Sequence, residues 1–172
     1  MNLHVAMLSV HTCPLAALGG KETGGMNVYV REVSRELGRM GVSVDVFTRS
    51  QDPSIQRVVR LGERARVIHL AAGAEAPMAR ERVYDHMDEF VEGVEAWRIA
   101  EAIDYDLIHA HYWLSGVAAL TLKRRWSVPV LQMFHTLARL KNRVARSAAE
   151  LEPLVRAEEE TPIVSDADRI VA

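Results

Sequence analysis

The sequence predicts an α/β fold, a three-layer domain with a mostly parallel sheet covered by helices on both faces. Short apolar runs alternate with segments of helical periodicity along nearly the whole chain, and that alternation implies right-handed βαβ crossovers. A glycine-rich stretch joins the first apolar run to the first helical segment. The chain has 172 residues, 49% of them hydrophobic and 26% charged, which suits one soluble domain with a substantial core.

The elements follow in order. Leu3 to Val10 is a short apolar run that reads as a buried first strand. Leu15 to Gly25 is a loop holding Gly19, Gly20, Gly24 and Gly25. Met26, Val30, Val33, Leu37 and Met40 then recur on one helical face, and Gly41 stands where a helix C-terminal glycine belongs. Val42 to Thr48 is a second strand, and Gln56 to Leu61 and Arg66 to Leu70 read as two more around Gly62-Glu63. A loop from Ala71 to Pro77 leads into one long helical pattern, Arg80 to Ile103. Tyr105 to Ala110 is a strand, followed by a helix stripe of Leu114, Val117, Ala118, Thr121 and Leu122. Pro129 to Phe134 is a strand that opens on proline, a position that tolerates one. Thr136 to Arg146 is a basic loop or short helix, and Ala148 to Asp166 is expected to be helical. Arg169 to Ala172 begins another strand, as expected of a domain cut from a longer polypeptide.

Several function classes fall away. A formal net charge of -2 gives no basic surface for nucleic acid. One cysteine, Cys13, permits no internal disulfide and fits a reducing compartment. The N-terminus lacks a charged segment and a small-residue cleavage site, and no apolar run reaches the ~20 residues of a membrane span, so a cytoplasmic protein is expected.

In a parallel sheet of this kind ligands bind at the carboxyl ends of strands, near the switch in strand order. Four strand-following segments therefore frame the expected site: Ser9–Met26, Ala71–Arg80, His109–Leu114 and His135–Lys141. Gly24 and Gly25 open a helix, where free N–H groups and a partial positive charge suit a phosphate or diphosphate; a ligand-free flexible loop is the alternative. The stretch is not the G-x-G-x-x-G fingerprint. His109 and His111 share a face by strand alternation, but no third metal ligand at matching spacing is evident. Tyr112 and Trp113 suit either sugar stacking or core packing. His135-Thr136 is a polar pair at a strand end. Arg139, Lys141, Arg143 and Arg146 serve an anion or are solvated, Lys123 to Arg125 suit a helix C-terminus, and Glu158 to Glu160 read as a solvated face. Cys13 has no assignable base partner and reads as a bystander.

At Leu18 to Val30, Asp106 to Gly116 and Phe134 to Asn142 the sequence resembles the family 4 retaining glycosyltransferases, in the branch of sucrose-phosphate synthases and the inositol-phosphate N-acetylglucosaminyltransferase of mycothiol synthesis. The resemblance covers nearly the whole chain. It implies that residues 1–172 form the N-terminal, acceptor-binding Rossmann-like domain of a two-domain GT-B enzyme, the C-terminal nucleotide-sugar domain being absent. By match to the motifs, Gly24 and Gly25 approach the donor diphosphate, Asn27 contacts the acceptor and His135 faces the donor sugar near the reacting carbon. Tyr112 and Thr136 match positions that hold an acceptor phosphate; Arg156 matches a further ligand loosely, and Arg80 stands where the branch has lysine. The family requires no metal or other cofactor, and takes a nucleotide sugar of UDP or GDP type as co-substrate. The resemblance further implies front-face attack, with a donor phosphate oxygen assisting removal of the acceptor proton. It also implies that a chain holding one domain alone is inactive.

Two other readings remain at this stage. One is a stand-alone sugar-phosphate-binding or regulatory module. The other is a dinucleotide-dependent oxidoreductase, opposed by the missing fingerprint and by Phe47-Thr48-Arg49 where an acidic residue would end the second strand.

Overall fold

A computed structural model describes residues 3–16 and 24–171. The predicted glycines at 19 and 20 lie outside the described residues, as does the part of the first matching motif up to residue 23. Strands β1 (His4–Leu8), β2 (Ser43–Arg49), β3 (Val58–Arg60), β4 (Ala65–Leu70), β5 (Leu107–His111), β6 (Val130–Met133) and β7 (Arg169–Val171) form one sheet. Their order is β3-β4-β2-β1-β5-β6-β7. Every neighbouring pair is parallel except β3 with β4, so the predicted α/β class holds and its antiparallel exception sits at an edge.

The helices are α1 (Gly25–Arg39), α2 (Arg80–Tyr84), α3 (Met87–Ala100), α4 (Tyr112–Trp126), α5 (Ala138–Val144) and α6 (Leu154–Asp166). Strand alternation divides the core in two. Val5, Met7, Val44, Val46 and Val67 face α1 through Val30, whereas Ala6, Leu8, Phe47 and Ile68 pack with Phe90 and Val94 of α3 and Leu114 and Ala118 of α4. β1 is central and almost wholly buried, as its continuous apolar run requires. The direction of winding changes between β1 and β5, which places the ligand-binding crevice at their carboxyl ends. No described helix is long and apolar enough to cross a membrane.

Several boundaries differ from expectation for identifiable reasons. The buried stripe of α1 is Asn27, Val30, Ser34 and Gly38 rather than the series ending in Met40, which is 78% exposed. Met40 is the C-cap, and Gly41 (φ +90°) turns the chain away: Gly41 N–H donates to Gly38 O at 3.1 Å and Val42 N–H to Leu37 O at 3.0 Å. The predicted single helix over 80–103 is two. Glu89, in the first turn of α3, accepts from Gly73 N–H (2.8 Å) and pairs with His86 (2.7 Å), anchoring the loop after β4 at the break. The helix expected from Ala148 starts at Leu154, because Pro153 holds Glu152 out of helical geometry; 148–150 form a separate 3-10 turn.

Beneath the sheet's opposite end, buried Asp45 accepts from Arg66 Nε (2.7 Å) and Tyr105 Oη (2.7 Å), with His4 Nε2 at 3.6 Å. Burial alone would raise its carboxyl; the bonds from His4, Arg66 and Tyr105 outweigh that and hold it well below the usual carboxylate range. A depressed folded-state pKa contributes stability that is present above the unfolded value, near pH 4, and lost as pH falls through the folded value. Asp45→Asn is therefore expected to cost about 3 kcal/mol at neutral pH and to flatten the acid limb of stability below about pH 4, read by urea denaturation across pH.

Candidate functional site

The site forms where β1, β5 and β6 end. β5 runs directly into α4 with no intervening loop, correcting the expected loop at His109–Leu114: His109 and His111 belong to the strand and Tyr112 begins the helix. The abrupt turn is made by Tyr112 itself, at φ +73°. His135, just past β6, has φ +60°. L-residues avoid this left-handed region at a cost of about 1–3 kcal/mol, and such outliers persist only where surroundings hold them.

The surroundings do so. Gln132 of β6 is fully buried and donates Nε2–H to the Tyr112 carbonyl at 3.1 Å. Gly116, one turn into α4, makes room for it: a Cβ there would sit 2.7 Å from Gln132 Oε1 and 2.7 Å from Ile163 Cδ1. Trp113 is buried against Tyr84, ring centroids 5.4 Å apart, so of its two expected roles it takes core packing.

Tyr112 is the hub of the cluster. Arg80 Nη1 donates to its hydroxyl at 3.2 Å, the Arg156 guanidinium lies 4.5 Å from its ring centroid, and the His11 ring packs against it, tilted by 42° with centroids 4.6 Å apart. Arg156 Nη2 also donates to Thr136 O (2.5 Å) and Thr136 Oγ1 (3.0 Å). Four predicted acceptor-side residues, Arg80, Tyr112, Thr136 and Arg156, are thus brought together. Burial, then Arg80, Arg156 and His135, press the His11 imidazole down to about 3, so it is neutral here.

Arg156 itself is only 1% exposed. It pairs with Glu160 (2.7 Å) and Glu152 (2.8 Å), and Glu152 also holds Lys141. The expected solvated face at Glu158–Glu160 is corrected on this point: Glu160 is buried and also accepts from Ala138 N–H at 2.8 Å, while Glu159 accepts from Tyr84 Oη at 2.6 Å. Burying an arginine demands such partners. A cavity of about 450 Å³ adjoins this network, lined by Arg80, Lys141, Glu150, Leu151, Glu152 and Pro153 among others. A larger cleft of about 590 Å³ between α5 and α6 is lined by Arg139 and Arg143 of the basic cluster but contains none of the residues that the family motifs assign to the site.

His111 Nδ1 and His135 Nε2 are 3.1 Å apart, and Tyr29 presents an edge to both rings at 5.7 Å. Burial lowers all three imidazoles here: His135 and, further, His111 below the usual histidine value, and His109 to about 4. Tyr29 lies one turn beyond Gly25, so the start of α1 meets the ends of β5 and β6. Gly24 and Gly25 are exposed, and a Cβ at either would meet nothing within 4 Å. Asn27, by contrast, is buried: its Nδ2 donates to Thr12 Oγ1 (2.7 Å) and Cys13 O (2.8 Å), tying the β1 loop to α1, and its Oδ1 has no hydrogen-bond partner among the described residues. Cys13 Sγ lies 3.3 Å from His69 Nε2, a partner the sequence did not suggest, and burial pushes its thiol up. Among the described residues no group of three or more His, Cys, Asp or Glu could hold a metal.

Tyr29, His11 and Gln132 were missed as site residues. Tyr29 lay inside a recognised motif and His11 inside a flagged segment; Gln132, in mid-strand, gave no signal.

A mostly parallel sheet carrying polar residues at its switch point, with a glycine opening beside it, defines a Rossmann-like α/β domain of the kind that makes half of a GT-B fold. The chain belongs to the glycosyl transferase 4-like domain family, whose model matches residues 24–172. It is 42% identical, over 98% of its length, to a D-inositol 3-phosphate glycosyltransferase of Nocardiopsis dassonvillei, covering 39% of that protein. The enzyme of the same description from Corynebacterium glutamicum is 38% identical over 96% of the chain, with 40% of that protein covered. Sucrose-phosphate synthase from Thermosynechococcus elongatus superposes over 98% of the chain and 42% of its own length, with TM-score 0.91 and 33% identity. The chain thus spans about two fifths of the curated relatives it matches.

Gly116→Ala is expected to lower stability by about 2 kcal/mol, since the added methyl would force the fully buried Gln132 and Ile163 side chains to shift; thermal unfolding with a calorimeter measures it.

Proposed function

We propose that the chain is the acceptor-side domain of a retaining glycosyltransferase, transferring sugar from a nucleotide-sugar donor to a sugar-phosphate or inositol-phosphate type acceptor. The convergence of Arg80, Tyr112, Thr136 and Arg156 beside His135 carries this reading. The guanidinium of Arg80, the Tyr112 and Thr136 hydroxyls and the positive charge of Arg156 behind them form a setting for a phosphate monoester. Arg156 serves it from beneath, fixing Thr136 and Tyr112 while its own charge is balanced by Glu152 and Glu160. Asn27 holds the β1 loop against the acceptor.

Gly24 and Gly25 leave the first amides of α1 open to a donor diphosphate, a role that suits a helix N-terminus. His135 faces the donor sugar near the reacting carbon. A second, nucleotide-sugar-binding domain completes the cleft, consistent with the greater length of the relatives. Front-face transfer then needs little covalent help from the protein: this domain positions the acceptor and stabilises charge as it builds on the leaving diphosphate. No metal or further cofactor enters this reading, and a cytoplasmic location fits its substrates.

Isothermal titration of the chain with inositol phosphate and hexose phosphates is expected to give saturable binding, weakened about 10-fold or more by Arg80→Ala. Saturable binding of NAD without any sugar-phosphate binding would reject the reading. In the full-length enzyme His135→Ala is expected to cut kcat by about 100-fold with little change in Tm; unchanged turnover removes His135 from the reaction.

A further inference from the structure

We infer that His111 is a positioning residue that fixes His135 as its Nδ1–H tautomer, so that His135 offers a hydrogen-bond donor to whatever occupies the cleft. The inference rests on the reading of His135 as a site residue and adds which of its atoms does the work.

The geometry leaves His111 few options. Its ring is fully buried at the end of β5, between His109 at 4.2 Å and His135 at 5.3 Å, with the edge of Tyr29 at 5.7 Å. Its Nδ1 lies 3.1 Å from His135 Nε2, while its Nε2 is buried without a hydrogen-bond partner among the described residues. A neutral imidazole carries one proton, so only one of the two facing nitrogens can donate in this contact. If His135 Nε2–H donated to His111 Nδ1, the proton of His111 would sit on Nε2, a buried N–H with nothing to receive it. If His111 Nδ1–H donates to His135 Nε2, the nitrogen left over at His111 Nε2 is a lone pair. Orphaned buried N–H groups are rarer than under-satisfied acceptors in folded proteins, so the second arrangement is favoured. With Nε2 accepting, the proton of His135 must be on Nδ1, which has no partner within the described chain and belongs to a half-buried ring.

The left-handed backbone at His135 is part of the same device. At φ +60° the ring is turned back toward the end of β5, where an extended residue would continue the line of β6. A donor in this place suits a hydroxyl or phosphoryl oxygen, and not an incoming proton.

The test is long-range ¹⁵N–¹H imidazole NMR on the chain, with His135 assigned by loss of its signals in His135→Ala. The expected result is an Nδ1–H pattern for His135; an Nε2–H pattern overturns the inference directly, without any variant. In His111→Leu the His135 signal should move toward the Nε2–H form, and an unchanged pattern there also overturns it. His111→Asn, whose amide nitrogen takes the place of Nδ1, should keep the Nδ1–H form; its loss in this variant counts against donation from position 111. In the full-length enzyme His111→Leu is expected to lower kcat at least 10-fold with acceptor KM within about twofold, and His111→Asn to recover most of it. Should His135→Ala leave turnover unchanged while wild-type His135 is Nδ1–H, the proposed role of His135 fails and the hydrogen bond stands.

Discussion

The arrangement depends on one constraint: β5 passes into α4 without a loop. The residue that turns the chain there is in left-handed geometry, and it is a tyrosine rather than a glycine. The cost of that backbone is offset by a buried amide bond from Gln132 and by close packing at Gly116. The buried phenol is thereby placed at the switch point, and two arginines, His11 and Thr136 arrange themselves around it.

A second constraint is electrostatic. A buried guanidinium cannot stand alone, and Arg156 is flanked by Glu160 of its own helix and by Glu152, which lies just before that helix begins. Burial alone would raise the Glu152 carboxyl, and hydrogen bonds from Lys141 and Arg156 more than reverse it. The result couples α6 to the loop after β6, because Glu160 also receives Ala138 N–H and Arg156 receives its orientation partly from Thr136. Helix α6 thereby helps to fix where Thr136 sits.

Much of this was legible in the sequence. Apolar runs located all the central strands, since strands buried on both faces read as continuous hydrophobic segments. Gly41 marked the end of α1 because a left-handed C′ position favours that residue. His135, Tyr112, Thr136 and the two arginines were named in advance and meet in space. What stayed hidden shares a cause: partners far apart in sequence. Glu160 read as solvated because three adjacent glutamates give no hint that one faces a buried arginine four residues back. The break at Asp85–His86 depended on Glu89 reaching Gly73, across a loop. The β5–α4 junction read as a loop because a tyrosine at φ +73° runs against local preference, and only Gln132 from the next strand explains it.

The empty space around Gly24 and Gly25 has an evolutionary corollary. Nothing inside the described chain would collide with a methyl group at either position. The described residues therefore exert no steric pressure to retain glycine there. Where such pressure comes from a bound ligand, a screen that scores only soluble, well-folded protein would accept alanine and a screen that scores the bound ligand would not.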